Sequence, residues 1–424
     1  MSLENAGSIL VLDPSCAAAH GHHLNSLIDL HEALAPRALD IVVNKAMPAA
    51  GFPPEMGVRR LFKATIYDEP GLGPRPNGRI ARRLWKLKRL AQSIAISSRR
   101  AVPGHKSTED VAWSSWHTKW RELEPILAQV VRAPVHHIVV PSADVELICG
   151  LIDLRPQIPA LAHALIHARL ITLTPQIALL SAQAQATPAY RSRVHDRMSR
   201  VLLYVETPAM QRHVAQAFGL TSDVYPYLLA PPAFEPVPRG AGVEFGYFGG
   251  KRNEKGFGRL LAIMEQVASR RMPSDPPLSF FIHASDVAGR EAKTLQAAFA
   301  AVASAGLAVT FRAGSLEAAD YNRHFSHIDA ALLPYTGARY ELSGSGIASE
   351  ALQLGKALIY AQGMACGDYC GPENAIPATD NASFASAILT MARNMDRYRA
   401  GAASRAQSYQ AQVRACPLLA RVTA

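Results

Sequence analysis

Residues 243–257 read VEFGYFGGKRNEKGF, and residues 343–359 read SGSGIASEALQLGKALI. The first stretch is an apolar run, then a glycine-rich turn that opens a helical pattern. The second is a glycine-rich turn and a helical pattern that lead into another apolar run. Short buried strands that alternate with helices indicate a parallel sheet covered by helices on its faces. The two stretches therefore predict a doubly wound α/β domain in the second half of the chain.

The same alternation of strands and helices extends along most of the chain. The predicted strands are Ser8–Leu12, Ile41–Val43, His137–Val140, Leu161–Ile166, Val201–Val205, Val243–Tyr247, Leu278–His283, Ala308–Arg312, Ile328–Pro334 and Ala357–Tyr360. Residues 231–242, PPAFEPVPRGAG, are rich in proline and glycine, which favours an exposed linker. We therefore expect two doubly wound domains, residues 1–235 and 236–410, with a tail at 411–424 that returns to the first domain. Ligands of such sheets bind at the carboxyl ends of the strands, so a cleft between the domains is the expected binding place.

Composition excludes several classes of protein. The chain has 424 residues, of which 49% are hydrophobic and 18% charged, which excludes a disordered or fibrous protein. No apolar run approaches the roughly 18 residues of a membrane-spanning helix. The start, MSLENAGSILVLD, lacks a basic region and reads as a strand rather than a signal peptide. Five cysteines give no disulfide framework, so we expect a reduced, cytoplasmic protein.

The positive charge is concentrated in one segment. The chain carries 44 basic and 34 acidic residues, a net charge of +10, and eight of the basic residues lie between Arg79 and Arg100 without an acidic one. Leucines, Trp85 and an isoleucine recur there at helical spacing, which predicts a basic amphipathic helix. Such a helix suits an anionic membrane surface or a lipid-linked acceptor. Its candidate contact residues are Arg82, Arg83, Trp85, Lys86 and Arg89.

Besides membrane binding, the segment has two other interpretations. A helix that packs on the domain with a solvated basic face has the same pattern. Nucleic-acid binding is disfavoured because no aromatic stacking platform or known module accompanies the charge. We expect no nucleic-acid partner.

The first glycine-rich loop collects cations. Gly249 and Gly250 allow the backbone to approach a ligand, and Lys251, Arg252 and Lys255 follow within five residues. The helix that starts after the loop adds its partial positive charge. This combination is typical of a diphosphate site, although a solvated turn of Lys and Arg has the same composition.

The second loop places Ser343, Gly344, Ser345 and Gly346 at the start of a helix. The backbone N–H groups of such a turn bind anions, and the serine hydroxyls add donors. Glu350 lies one turn into the helix, where a carboxylate can accept two neighbouring ribose hydroxyls. The alternatives are ordinary helix capping for the serines and a carboxylate stabilised by the helix dipole for Glu350.

With these residues the second domain resembles the glycosyltransferases of GT-B fold, in the large retaining class called family 4 or glycosyl transferases group 1. The family has a loop of glycine and Arg or Lys that ends in Lys-Gly, a strand that ends in Asp-x-x-x-x-Pro, and a glycine-rich turn before a Glu-Ala helix. This chain has GGKRNEKGF at 249–257, DAALLP at 329–334 and SGSGIASEALQLGKALI at 343–359. The match covers residues 243–395, whereas the first domain matches only by its architecture and its His-rich turns.

The resemblance implies roles for residues of the second domain. Lys255 and Arg252 would stabilise the diphosphate leaving group, and Glu350 would bind the ribose. The implied donor-binding residues are Gly21, Gly250, Lys251, Ser343, Gly344, Ser345, Gly346, Glu350 and Glu341. The family places two glutamates eight positions apart, whereas this chain has Leu342 eight residues before Glu350 and Glu341 one residue further. The first loop is also about one residue shorter, so both Lys251 and Arg252 are candidates for its first cation.

The resemblance also implies two residues in the first domain. Gly21, in the turn AHGHH at 19–23, would approach the diphosphate. His167, at the end of the predicted strand Leu161–Ile166, would lie near the donor sugar and contribute to catalysis. A histidine that is merely hydrogen-bonded at a strand end is the alternative for His167.

Metal binding is not predicted. His20, His22 and His23 are too close in sequence to converge on one ion without a special loop, and Cys366 and Cys370 lack a second pair of ligands. We expect no metal and no cofactor other than the nucleotide-sugar co-substrate.

The sequence therefore predicts a glycosyltransferase that moves a sugar from a nucleoside-diphosphate sugar to a polysaccharide or lipid-linked acceptor. The expected reaction retains the anomeric configuration and serves bacterial cell-surface glycan synthesis, such as that of lipopolysaccharide, at the inner face of the membrane. Two alternatives stay open: a nucleotide-sugar epimerase on the same fold, and a glycan- or membrane-binding scaffold without catalysis.

Overall fold

A computed structural model describes residues 8–18, 22–35, 37, 39–48, 51–68, 112–182, 188–226, 242–303 and 307–423. The predicted basic helix at 79–100, most of the linker at 231–242, His20 and Gly21 lie outside these residues. The chain forms two compact units. The first comprises Met1–Glu206, Gln211–Tyr225 and Pro417–Ala424, and the second comprises Thr207–Met210 and Pro226–Cys416.

The first unit is built on a seven-stranded parallel sheet. Its strands are β1 (Ser8–Asp13), β2 (Leu39–Asn44), β3 (Arg59–Phe62), β4 (Val135–Ala143), β5 (Leu165–Leu170), β6 (Val201–Val205) and β7 (Asp223–Val224). Their order is β3-β2-β1-β4-β5-β6-β7, so the direction of winding changes between β1 and β4. The central strands are runs of Ile, Leu and Val that are buried on both faces, as a helix-covered parallel sheet requires.

Helices cover the sheet of the first unit. They are α1 (His22–Leu34), α2 (Trp116–Lys119), α3 (Leu123–Val130), α4 (Val145–Leu154), α5 (Pro188–Met198), α6 (Pro208–Phe218) and, at the end of the chain, α14 (Pro417–Thr423). Short 3-10 turns occur at Pro54–Met56, Arg155–Gln157, Pro159–Leu161 and Pro175–Leu180. Asp144 caps α4 by accepting a hydrogen bond from the Leu147 N–H at 2.7 Å.

The last helix is held on the first unit by two arginines. The Arg37 guanidinium donates to the carbonyl oxygen of Val422 at 2.7 Å and to that of Thr423. From α14 itself, Arg421 forms an ion pair with Asp223. The carbonyl groups at the end of a helix lack partners within the helix, so arginine donors satisfy them.

The second unit has a six-stranded parallel sheet. Its strands are β8 (Val243–Gly249), β9 (Leu278–Ala284), β10 (Ala308–Ala313), β11 (Ala330–Leu333), β12 (Ala357–Ala361) and β13 (Ala375–Ala378). Their order is β10-β9-β8-β11-β12-β13, so the winding reverses between β8 and β11. The loops after these two strands are the two glycine-rich loops of the sequence. They therefore lie at the place where doubly wound sheets bind ligands.

Helices also cover the second sheet. They are α7 (Leu260–Arg270), α8 (Gly289–Ala303), α9 (Ala318–His327), α10 (Arg339–Leu342), α11 (Gly346–Gln353), α12 (Asn381–Arg393) and α13 (Met395–Arg414). Short 3-10 turns occur at Asn253–Lys255, Phe257–Arg259 and Ala365–Tyr369. The apolar faces of α7, α8 and α12 pack against the inner side chains of β8 and β9 in one buried cluster. Its members include Phe245 of β8, Phe280 of β9 and Ile388 of α12. This packing fixes the sheet edge from which the two loops project.

Within the described residues, no helix has the length and apolar character needed to cross a membrane.

Candidate functional site

Lys255 lies across the glycines that follow β8. A Cβ placed on Gly249, whose φ is +140°, would stand only 2.8 Å from the Lys255 Nζ atom. The same ammonium group lies 5.8 Å from the centre of the Tyr335 ring. Burial and the Arg252 charge lower the pKa of Lys255 to about 8, and the Glu350 carboxylate opposes this shift. Lys255 is thus a partly desolvated cation at the carboxyl end of β8, where it can form an ion pair with an anionic ligand.

The other two cations of the first loop are exposed. Lys251 forms an ion pair with Glu291 of α8, and its backbone N–H donates to the Asp286 carboxylate. Arg252 lies 3.3 Å from the Glu254 carboxylate, and its guanidinium reaches the Tyr340 hydroxyl at 3.5 Å. Arg252 therefore contacts the second loop, whereas Lys251 is directed toward α8.

Hydrogen bonds to backbone carbonyls join the two loops. The Thr336 N–H donates to the carbonyl of Glu254 at 2.9 Å, and the Thr336 hydroxyl donates to the carbonyl of Asn253 at 2.9 Å. The Arg259 guanidinium donates to the carbonyl of Pro334 at 3.2 Å. The loops after β8 and β11 consequently form one surface.

The second loop ends in a capped helix start. Ser345 is buried, and its hydroxyl oxygen accepts a bond from the Ala348 N–H at 3.4 Å, which makes it the N-cap of α11. The Tyr335 hydroxyl lies 3.4 Å from the same oxygen. Ser343, Gly344 and Gly346 flank this cap. The predicted anion-binding turn is therefore a real helix N-terminus, with the favourable dipole that this implies.

Glu350 lies in α11, where its charge acts on Lys255. The Tyr321 hydroxyl donates to the Glu350 Oε2 atom at 2.5 Å. Burial raises the pKa of Glu350 to about 7, although Tyr321 and Lys255 both favour its charged form. Lys255, the α11 N-terminus and Glu350 thus combine a cation, backbone donors and a hydroxyl-accepting carboxylate. That set of groups suits a ligand that carries both phosphate and vicinal hydroxyls.

Glu341 is placed differently. It is exposed on the short helix α10, where the adjacent Tyr340 is the buried residue. The Tyr340 ring packs against Tyr335 with a centre distance of 4.5 Å. The one-residue offset from the family spacing thus puts a tyrosine in the interior and the carboxylate in solvent.

The predicted strand Leu161–Ile166 is wrong, and the correction moves His167. Pro159 starts a 3-10 turn, in which the Leu161 N–H donates to the carbonyl of Ile158 at 2.8 Å, and β5 begins only at Leu165. His167 is therefore the third residue of β5 and not a residue at the end of a strand. It is buried, 1% exposed.

His167 has two hydrogen-bond partners inside the first unit. Its Nε2 atom lies 3.0 Å from the Nδ1 atom of His137, and its Nδ1 atom lies 3.0 Å from the Tyr204 hydroxyl. Burial, reinforced by the His137 and Arg421 charges, lowers the pKa of His167 to about 3. The side chain is a neutral, internally bonded histidine, as in the alternative interpretation of the sequence.

Sequence reasoning missed a polar cluster in the first unit. His23 Nδ1 lies 3.3 Å from Asp13 Oδ2 and 3.0 Å from the Ser142 hydroxyl, and His23 Nε2 lies 3.2 Å from the Tyr67 hydroxyl. Asp13 and Ser142 stand at the carboxyl ends of β1 and β4, where the winding of this sheet reverses. Asp13 directly after the first apolar run was the available signal, because polar residues at strand ends mark the ligand edge of such sheets.

Metal ligands do not gather in the described part of the chain. No group of three or more His, Cys, Asp or Glu side chains there could hold an ion. Cys366 and Cys370 are free thiols. Gly21 and the residues proposed for membrane contact, Arg82, Arg83, Trp85, Lys86 and Arg89, lie outside the described residues, so their roles stay predictions.

Comparison with known proteins identifies the fold. No protein-family profile and no curated protein matches the chain. Among solved structures it is similar to the Thermosynechococcus elongatus sucrose-phosphate synthase, with a TM-score of 0.55 and 16% identity over 97% of this chain and 94% of that one. It is similar to Anabaena HepE in complex with UDP-glucose, with a TM-score of 0.58 and 13% identity over 98% of both chains. It is also similar to an E. coli trehalose-6-phosphate protein bound with UDP-2-fluoro glucose, with a TM-score of 0.58 and 11% identity over 98% of this chain and 99% of that one.

These likenesses extend over nearly the whole chain and, at such low identity, establish the fold rather than the activity. The two doubly wound units are those of the GT-B fold, and the predicted fold class is confirmed.

Proposed function

We propose that the protein is a glycosyltransferase that uses a nucleoside-diphosphate sugar as donor. The observation that carries this proposal is the convergence of Lys255, the capped N-terminus of α11 and Glu350 at the winding reversal of the second sheet. The comparisons support it, because HepE was solved with UDP-glucose and the E. coli protein with UDP-2-fluoro glucose.

The residues of the second unit would act mainly on the leaving group. In the transfer, the bond from the anomeric carbon to the diphosphate oxygen breaks, and a bond from that carbon to an acceptor hydroxyl oxygen forms. The hydroxyl proton passes to the departing diphosphate, whose negative charge grows as it leaves. Lys255, Arg252 and the helix N–H groups would stabilise that charge, which is electrostatic catalysis by groups already in place. Lys255 remains largely protonated at pH 7, because its pKa is about 8.

We further propose that the transfer retains the anomeric configuration. A reaction in which the acceptor approaches from the face that the diphosphate leaves needs no separate general base. The described groups near Lys255 fit that chemistry, because they are cations, hydroxyls and a carboxylate, Glu350, that accepts a hydrogen bond from Tyr321. Product stereochemistry, read by NMR of the newly formed linkage, tests this point.

The acceptor is proposed to be a polysaccharide or a lipid-linked glycan in the synthesis of bacterial surface polymers, including lipopolysaccharide. The basic segment at 79–100 supports a location at the inner face of the membrane. The Asp13–His23–Ser142–Tyr67 cluster supports recognition of acceptor hydroxyls, because it offers several hydrogen-bonding groups beside Tyr67, which is 53% exposed.

One screen tests the proposal against an epimerase or a non-catalytic scaffold. The protein is incubated with UDP-, GDP- and ADP-sugars, with and without glycan and lipid-linked acceptors, and products are resolved by mass spectrometry and NMR. A glycosyltransferase releases the nucleoside diphosphate and forms a new glycoside. Epimer formation without an acceptor would replace the proposal with the epimerase, and ligand binding without turnover of any donor would replace it with the scaffold.

A further inference from the structure

Three aromatic rings hold Tyr321 in place beside Glu350. The Tyr321 ring meets Phe248 edge to face with a centre distance of 5.3 Å, and it stacks on Phe325 with a centre distance of 5.7 Å. His283 completes the enclosure, with ring centres 6.4 Å apart. These contacts hold the side chain in one orientation. In that orientation the Tyr321 hydroxyl donates to the Glu350 Oε2 atom, 2.5 Å away.

The two oxygens of Glu350 therefore differ. Oε2 accepts the Tyr321 hydroxyl, whereas the described residues make no hydrogen bond to Oε1. The charged and polar groups that act on this carboxylate come from two elements, Tyr321 from α9 and Lys255 from the loop after β8. Both favour the ionised form, against a burial that favours the protonated one.

We propose that Tyr321 is a positioning residue of the nucleotide site, which favours the ionised form of Glu350 and holds the carboxylate in one orientation so that Oε1 accepts the ribose hydroxyls of the donor. This inference rests on the proposed function. An ionised carboxylate only accepts hydrogen bonds, whereas a protonated one presents a donor to the ligand. A carboxylate already fixed by Tyr321 also loses less side-chain freedom when the nucleotide binds.

The inference predicts a specific pH dependence of binding. Binding of the donor should weaken as the pH falls through the pKa of Glu350, about 7, which gives the acid limb of the binding profile. It should also weaken as the pH rises through the pKa of Lys255, about 8, which gives the alkaline limb. Tyr321→Phe removes a hydrogen bond to the anion and so raises the pKa of Glu350. The acid limb should then move toward higher pH.

The first experiment measures affinity for UDP-, GDP- and ADP-glucose by calorimetry from pH 5.5 to pH 9. Nucleoside-diphosphate sugars are suitable probes because both phosphates are esterified and do not titrate in this range. Wild type, Tyr321→Phe and the control Tyr398→Phe are compared. Tyr398 is a buried tyrosine of the hydrophobic core in the same unit, so its variant reports the effect of losing a buried hydroxyl elsewhere.

The second experiment separates positioning from general damage. At pH 7.5, Tyr321→Phe should weaken the binding of a nucleoside diphosphate by roughly tenfold, because a group that orients a charge-assisted hydrogen bond is lost. It should leave the affinity for the 2′,3′-dideoxy nucleoside diphosphate unchanged, since that ligand lacks the ribose hydroxyls. Glu350→Gln, which keeps a side-chain oxygen for Tyr321 but cannot ionise, should abolish the acid limb, and it serves if Tyr321→Phe does not fold.

The outcomes distinguish this inference from the proposed function. If wild type binds none of the nucleotides, the proposed function fails and the inference falls with it. If wild type binds a nucleotide but Tyr321→Phe keeps the same acid limb, only the positioning role of Tyr321 is overturned. The same holds if Tyr321→Phe weakens the binding of the ribose and the dideoxyribose diphosphate equally. An acid limb that persists in Glu350→Gln likewise overturns the inference alone.

Discussion

The carbonyl oxygen of Pro334 lies 1.8 Å from the point where a Cβ on residue 256 would stand. Gly256 also has φ +67°, in the left-handed region that favours glycine. The first loop can therefore reach the second only because residue 256 has no side chain. This contact, between the residue after Lys255 and the end of the Asp-x-x-x-x-Pro stretch at 329–334, sets the spacing of the two loops.

Gly256→Ala tests that relationship. The positive φ alone costs about 1–3 kcal/mol for a residue with a side chain, and the collision with Pro334 adds to it. We expect a lower melting temperature and a loss of nucleotide affinity, measured by thermal unfolding and calorimetry. Gly258→Ala is the matched control, because a Cβ there meets nothing within 4 Å. Equal behaviour of the two variants would contradict the close contact.

Lys255→Ala should lower turnover by roughly 10²-fold or more, since it removes a cation that faces the developing diphosphate charge. Lys251→Ala should change turnover little, because Lys251 is exposed and paired with Glu291. Steady-state kinetics with saturating acceptor checks both variants. Near-wild-type turnover of Lys255→Ala would remove this loop from the site, and a large loss in Lys251→Ala would show that the lysine leaves Glu291 in the working enzyme.

The neutral His167 predicts a stability that depends on pH. Its pKa is about 3 in the folded chain, below the ordinary value of 6.5, so between these values the unfolded chain binds more protons. The free energy of unfolding should therefore fall as the pH drops below about 6.5, by on the order of a few kcal/mol at pH 4. Urea unfolding at several pH values measures the slope.

His167→Asn should be less stable at pH 7 and have a shallower slope below pH 6.5, because asparagine cannot take up the proton. The exposed histidine of β4, changed in His136→Asn, provides the control and should keep the wild-type slope. A wild-type slope in His167→Asn would mean that other groups govern the loss of stability in acid.

Most strands could be predicted from the sequence because they are short apolar runs buried on both faces. Val201–Val205 agrees in both bounds, and Ser8–Leu12 differs by one residue. β3, RRLF, was missed because its two arginines hide a strand at the edge of the sheet. Leu161–Ile166 was misplaced because a 3-10 turn and a strand can share one apolar run, and only the hydrogen bonds separate them.

The candidate site was predictable where a motif is local and not where it depends on the fold. Lys255, Ser345 and Glu350 could be proposed from the sequence because glycine-rich turns before helices have a recognisable pattern, and their roles stay predictions. Tyr321 could not be found, since it lies 29 positions from Glu350 along the chain and is joined to it by the packing of α9 on the sheet. The Asp13–His23–Ser142 cluster likewise joins residues up to 129 positions apart.

The basic segment at 79–100 predicts binding to anionic membranes. Its eight cations and apolar residues should make the protein sediment with anionic vesicles at low salt and dissociate as salt rises, since charge is screened over about 8 Å at physiological ionic strength. Changing Arg82, Arg83, Lys86 and Arg89 to Gln together should abolish sedimentation and leave nucleotide affinity unchanged. Failure of the wild type to sediment at low salt would favour a packed helix and a soluble acceptor.

We propose above all that the carboxyl end of the second sheet binds a nucleoside diphosphate. The most direct test is thermal unfolding of wild type and Lys255→Ala with UDP, GDP or ADP at millimolar concentration. At 100 times the dissociation constant, a ligand of the folded state adds about 2.7 kcal/mol to the free energy of unfolding. We predict that at least one nucleotide raises the melting temperature of wild type and that Lys255→Ala loses most of this shift. No shift with any of the three, or an equal shift in both proteins, would contradict the account.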